Sequence, residues 1–250
     1  PLARTAGLLG MAYLAWLAGS LEIPFERSTL TLIVLLLVAL GAGLAFVQRH
    51  ALAQEWRERK RYFLTIEMLA LLFFVAFLLV RLGNPDLWHP WKGGEKPMDF
   101  AYFNAILKST TFPPYDPWLA GGYLNYYYFG FVLFGALVKW VGIVPSFAYN
   151  LILASAFSMV AMGAFSIAWN LTSARSRTDP PPRHPFYAGI AGALGMVVLG
   201  NLGTLRMIWQ GYQRLSDPSL ADVTLPASFF YRVAAGIDGF FKMVAGANLP

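Results

Sequence analysis

Glu95 and Asp99, two carboxylates four residues apart, flank the proline of Glu95-Lys96-Pro97-Met98-Asp99 in a chain of 250 residues. At that spacing both side chains fall on one wall of a helix. There a carboxylate pair could hold a divalent cation or a metal-bound phosphate, and one member could take a proton as a general base. Pro97 suits the first helical position, so the stretch predicts a helix to about Ser109 with Asp99 as its third residue. A first-turn carboxylate is also what the helix dipole favours, by about 0.3–1 kcal/mol, with no chemistry attached. The helical wheel weighs against that plain role: Asp99 falls with Phe103 and Ile106, while Asn104 and Lys108 lie opposite. On a helix lying flat on a membrane, Asp99 would be held near the apolar face, where desolvation raises a carboxyl toward the range of a general base.

His89, set among aromatics and prolines in Trp88-His89-Pro90-Trp91, could ligate a metal or act as an acid, or simply hydrogen-bond at an interface. Asp116 is displayed rigidly by the prolines of Pro113-Pro114-Tyr115-Asp116-Pro117-Trp118, whereas Asp86, following Pro85, reads as a turn residue. Trp88, Trp91, Tyr115, Trp118, Tyr123, Tyr126, Tyr127 and Tyr128 could stack on sugar rings; the same set makes the aromatic belt that bilayer interfaces favour. No phosphate-binding glycine loop, nucleophile elbow or His-rich metal motif occurs, which disfavours soluble nucleotide chemistry. With no cysteine there is no disulfide, thiolate nucleophile or Cys-ligated metal. Asn170-Leu171-Thr172 matches a glycosylation sequon, a pattern too short to carry an argument.

A membrane must position these residues. The chain is 57% hydrophobic and 13% charged, with a mean hydropathy of +0.53, against roughly 45–50% and 25% in soluble domains. Its net charge of +6 sits in short clusters beside apolar segments, which suits anchoring to anionic membrane lipid and not nucleic acid. Stretches long enough for a bilayer run over about Thr5–Leu21, Thr29–Val47, Tyr62–Val80, Leu124–Trp140, Phe147–Leu171 and Tyr187–Leu205. The fold class expected is therefore an all-α transmembrane bundle of about six spans. Glu67, in the third, is expected to face other helices and a structural partner. The stretch Gln48–Arg61, with Arg49, Arg57, Arg59, Lys60 and Arg61, reads as a cytoplasmic loop. That places residues 84–122 outside as a large loop carrying a membrane-parallel helix. Strict alternation then also puts Ser173–His184, with Arg175, Arg177 and Arg183, outside, against the positive-inside tendency: either this loop is an exception or one of the two preceding stretches does not fully cross, and alternation is the reading kept. Glycines 189, 192, 195, 200 and 203 would let the sixth span approach a neighbour closely. From Gln210 onward the sequence reads as an amphipathic interfacial segment. The chain thus divides into 1–61, 62–209 and 210–250, and its two ends read as those of a piece of a longer protein.

Asn84-Pro85-Asp86-Leu87-Trp88-His89-Pro90, Glu95-Lys96-Pro97-Met98-Asp99-Phe100, Pro114-Tyr115-Asp116-Pro117-Trp118 and Gly121-Gly122-Tyr123-Leu124-Asn125-Tyr126-Tyr127-Tyr128-Phe129-Gly130 resemble the YYY family of polytopic membrane proteins. That family of bacteria and archaea is named for its triple tyrosine and carried as domain of unknown function 2298. The resemblance implies a multi-pass protein of the cell membrane. More distantly the layout is similar to the membrane glycosyltransferases of the C superfamily (GT-C), which take a sugar from a polyprenyl-phosphate carrier. By that likeness Asp99 would activate an acceptor hydroxyl, with Glu95 supporting it or a divalent metal. Lys92, Lys96 or an arginine of Ser173–His184 would hold the lipid phosphate, and His89, Asp116 and Tyr126, Tyr127 and Tyr128 would line the substrate site. The competing implications are a non-catalytic membrane scaffold and a transporter, the latter disfavoured because the spans carry few polar residues beyond Glu67 and Asn201.

Overall fold

The computed structural model describes residues 2–83, 85–87, 95–175, 185–221 and 228–247, in two compact units, Pro1–Ala193 and Leu194–Pro250. Every regular element among the described residues is a helix, beside one isolated antiparallel bridge between Tyr115 and Tyr123. The chain runs through α1 (Ala3–Ser20), α2 (Arg27–Val47), α3 (Arg49–Gly83), α4 (Lys96–Lys108), α5 (Tyr128–Val141), α6 (Pro145–Arg175) and α7 (Pro185–Val197). Among the described residues Arg27–Val47, Arg49–Gly83 and Pro145–Ser173 are long and apolar enough to cross a bilayer. Only 6% of the apolar window of α2 is buried within the protein, which leaves Leu32, Leu36, Leu40 and Leu44 facing outward. At about 25 cal/mol per Å² of apolar surface, a helix so uncovered belongs in lipid.

Residues 49–61, expected as a loop, instead begin α3. Ala51, Leu52, Gln54, Glu55 and Arg57 favour helix, and Gln54 donates to Glu58 at 2.8 Å while Arg59 pairs with Glu55 at 3.5 Å, both at i,i+4 spacing. The backbone leaves the helical region at Arg59 (φ −121°, ψ 16°), which divides this charged, exposed stretch from the apolar span. In the span itself Glu67 pairs with Arg4 of α1, the structural partner its sequence position calls for.

α3 and α6 pack antiparallel along their length. Arg81, in the last turn of α3, is hydrogen-bonded to Asn150 near the start of α6. Midway, the Ser158 hydroxyl donates to the Ala70 carbonyl at 2.7 Å. Toward the basic stretch, Tyr62 meets Trp169 with ring centroids 5.0 Å apart. α6 therefore runs past Ser173 at the same end of the pair as Arg57–Arg61, where alternation had put it on the opposite side. Residues 176–184 themselves lie outside the described residues.

α5 is where alternation fails. Its 14 residues reach about 21 Å at 1.5 Å per residue, short of a ~30 Å hydrocarbon core. Both of its ends are tied to the same end of the α1–α2 pair. Trp16, one turn before the end of α1, donates to the Tyr128 hydroxyl at 2.8 Å. Arg27, which opens α2, donates to the carbonyls of Trp140 and Val141 at 2.8 and 2.9 Å. α4 bridges at that same end: its first turn lies by Tyr149 of α6, while Ser109 just past its last turn accepts from Lys139 at 2.7 Å. Two buried clusters hold α4 and α5 in place, one of Met11, Ala15, Phe25, Leu30, Ile106, Phe112, Val132 and Ala136, the other of Phe103, Val138, Ala148 and Tyr149.

The glycine-rich sixth stretch does approach its neighbour closely: a Cβ on Gly189 would stand 2.6 Å from the Phe165 ring, and one on Gly192 2.7 Å from Ala168. It is nonetheless not one helix. α7 stops at Val197, a 3-10 turn follows at Leu199–Asn201, and α8 (Leu202–Ser216) starts the second unit's hairpin with α9 (Phe229–Val244). Both helices are amphipathic, as expected of the tail, and Gln213 of α8 donates to the Arg232 carbonyl of α9 at 2.7 Å.

Candidate functional site

The expected helix after Pro97 is α4, and it buries the face the sequence pattern selects: Tyr102, Phe103 and Ile106 are buried, Lys108 is exposed. Asp99 stands half-buried one turn before Phe103, on that face. Its amide donates to the Glu95 carbonyl at 2.9 Å, which sets Glu95 at the helix entrance with its own side chain exposed. Desolvation holds the Asp99 carboxyl above the usual carboxylate range. The like charge of Glu95 pushes in the same direction, and a hydrogen bond from the Tyr149 hydroxyl opposes both.

Tyr149 comes from the first turns of α6 and lies within electrostatic reach of both Asp99 and Arg81. Arg81 is only 8% exposed. Its Nε and Nη2 both donate to Asn150 Oδ1, at 2.8 and 2.6 Å. Asn150 is oriented for this by its own amide, which donates to the Ser146 carbonyl at 3.1 Å and the Pro85 carbonyl at 3.4 Å. A carboxyl with a raised pKa, a phenol and a buried guanidinium thus converge at one end of the α3–α6 pair.

On its other flank Asp99 adjoins Tyr102, whose hydroxyl is pushed up by burial, then by Asp116, Tyr126 and Asp99. Asp116 is within electrostatic reach of Tyr102, and its side chain accepts the Trp118 amide at 2.8 Å, the turn role its prolines suggest. The three tyrosines separate. Tyr126 and Tyr127 are exposed, with ring centroids 4.4 Å apart, whereas Tyr128 is held by Trp16 and stacks on Phe112. Tyr127 takes a left-handed backbone (φ 49°) at the start of α5. It borders an open cleft of about 620 Å³ with Tyr13, Trp16, Asn125 and Phe129. Lys96 lies at the rim, its Nζ 3.5 Å from the Asp86 carbonyl. His89 and Lys92 lie outside the described residues. Ser173, at the far end of α6, lies about 35 Å from Asn150 at 1.5 Å per residue, and Arg177 and Arg183 lie outside the described residues.

The model of the uncharacterized membrane protein family DUF2298 matches residues 11–231. The chain belongs to this family. The DUF2298 match takes in Arg81, Asp99, Tyr149, Asn150 and the three tyrosines, so the whole convergence lies inside the family region. No curated protein and no solved structure matches the chain.

Arg81 and Tyr102 are the members of this DUF2298 site that the motifs of the large loop do not reveal. Tyr102 had a signal, since it sits three residues after Asp99 on the same helix. Arg81 had a weaker one, a lone cation in the last turn of an apolar span, which ordinarily reads as a side chain reaching for the interface.

Proposed function

We propose that this DUF2298 protein is a GT-C-like glycosyltransferase that moves a sugar from a polyprenyl-phosphate donor to an acceptor hydroxyl on the extracytoplasmic side, with Asp99 as general base. The observation that carries the reading is the place of Asp99, half-buried on the apolar face of α4 and beside Tyr149 at the end of the α3–α6 pair remote from the basic stretch. In the reaction the acceptor O–H gives its proton to the Asp99 carboxylate as its oxygen attacks the anomeric carbon. The bond from that carbon to the phosphate oxygen breaks, and polyprenyl phosphate leaves with the electron pair. A positioned base of this kind contributes roughly 10²–10⁴-fold. Glu95 tunes the base through its charge, and Tyr126 and Tyr127 offer exposed rings for the sugar. Among the described residues no three His, Cys, Asp or Glu side chains gather as a metal cage. A divalent ion at Glu95 and Asp99 would accordingly complete its shell with phosphate oxygens.

A membrane scaffold is the second reading, favoured by Trp16 and Tyr128 being hydrogen-bonded to each other and by Tyr128 stacking on Phe112, contacts that packing alone explains. The discriminating experiment supplies labelled polyprenyl-phosphate sugars and a panel of acceptors to membranes containing the full-length protein. Transfer from a lipid-linked donor above that of membranes lacking the protein supports the transferase. Background transfer with every donor leaves the scaffold.

A further inference from the structure

We infer that Arg81, held by Asn150, is an anion site that takes the phosphate of a phospholipid-type carrier, with the carrier's apolar chain lying in the groove between α3 and α6. The inference deepens the transferase reading by placing its donor phosphate, yet it stands on different residues and its test needs no sugar transfer. A guanidinium that is 8% exposed is a charge taken out of water, and a buried cation persists only with compensation. Among the described residues Arg81 has a neutral amide as its hydrogen-bond partner. Two of its donors share one atom, Asn150 Oδ1, and Nη1 makes no hydrogen bond to a described residue. The ion pairs among the described residues join Arg4 to Glu67, Arg59 to Glu55 and Lys242 to Asp238, so no described carboxylate neutralises Arg81. Asn150 fixes the direction of the guanidinium fork without cancelling its charge, and the planar fork fits two oxygens of a phosphate.

The chain's place follows from the same two helix faces. A cavity of about 440 Å³ opens along the α3–α6 seam, lined by Ala70, Leu71, Phe74, Ser158, Met159 and Met162, with the Arg4–Glu67 pair at its other end. Phe74 precedes Arg81 by seven residues, about 10.5 Å along α3. Between Arg81 and that lining Phe77 stacks on Phe157 with ring centroids 4.6 Å apart, so a chain whose phosphate sits on Arg81 runs over these rings before it reaches the methionine-rich lining, which adapts to an irregular chain. Tyr149, within reach of both charges, would then stand between the leaving phosphate and the Asp99 base.

The test uses the full-length protein in phosphatidylcholine nanodiscs, titrated with a polyprenyl monophosphate, the polyprenol of the same length, and inorganic phosphate, with binding read by native mass spectrometry. The wild type is expected to prefer the monophosphate to the polyprenol by tenfold or more. Arg81→Gln should remove that preference and Arg81→Lys should keep part of it. Asn150→Asp guards against a folding artefact, because it places a carboxylate on Arg81 in the existing geometry: it is expected to raise the melting temperature while weakening monophosphate binding tenfold or more. Equal binding of polyprenol and monophosphate, or unchanged binding by Asn150→Asp, overturns the site. Inorganic phosphate binding as tightly as the lipid overturns the lipid assignment. Sugar transfer that survives Arg81→Gln sinks this inference and leaves the Asp99 reading standing, whereas phosphate-selective binding without any transfer does the reverse.

Discussion

The Asp99 carboxyl is worked on by two influences of one sign and one of the other: burial and Glu95 disfavour its charge, and the Tyr149 hydroxyl supports it. An acid whose folded pKa lies above its unfolded value binds protons better in the fold, so it lowers stability above the folded pKa and has no effect below the unfolded one. Asp99→Asn is therefore expected to raise the melting temperature at neutral pH and leave it unchanged in acid; a drop at neutral pH would make the carboxylate structural. The same displacement sets the acid limb of the pH–rate profile for sugar transfer above the ordinary carboxylate range. Glu95→Gln should move that limb to lower pH, and a limb that stays put would detach Asp99 from the rate. Spacing alone was enough to place Asp99 with Phe103 and Ile106, since a wheel needs only 3.6 residues per turn. Arg81 was not legible in that way, because its meaning comes from Asn150, 69 residues later, and from the lack of an ion pair to any carboxylate among the described residues.

Helices and their ends carry the next set of consequences. The α4 helix was legible from Pro97 and the apolar pattern, whereas the stretch ending at Trp140 looked like a crossing because its length and composition resemble one. What decides its path is Arg27 capping the Trp140 and Val141 carbonyls, a tertiary contact invisible to a sliding window. Likewise the charges of 49–61 suggested a loop, and helix propensity with i,i+4 pairs overrode them. In the second unit α8 and α9 meet backbone to backbone at Gly239, where a Cβ would run into the Tyr212 carbonyl. That carbonyl cannot rotate aside as a side chain would. Gly239→Ala is expected to cost about 1–3 kcal/mol of local stability, read as faster amide hydrogen exchange in α9 with α6 unaffected. Unchanged exchange in α9 would mean the two helices do not rely on this approach.

The molecule as a membrane object is defined by which ends lie together. Composition and span length made the all-α membrane class plain, but sidedness required the antiparallel α3–α6 seam, pinned by Arg81–Asn150, Ser158–Ala70 and Tyr62–Trp169. These 250 residues hold no cysteine, so one introduced among them is unique within this stretch and reports its side of the membrane. Cysteines at Gln54 and Ser173 are expected to react with a membrane-impermeant maleimide from one side of sealed vesicles, and one at Tyr115 from the other. Labelling of Ser173 together with Tyr115 would break the seam as described.

The most direct measurement of the catalytic claim is the rate of labelled-sugar transfer from a polyprenyl-phosphate donor by full-length wild type and Asp99→Asn at matched expression. The account predicts a loss of about a hundredfold or more, roughly 2.7 kcal/mol in the barrier, in a variant that remains folded; transfer at the wild-type rate by Asp99→Asn would contradict it.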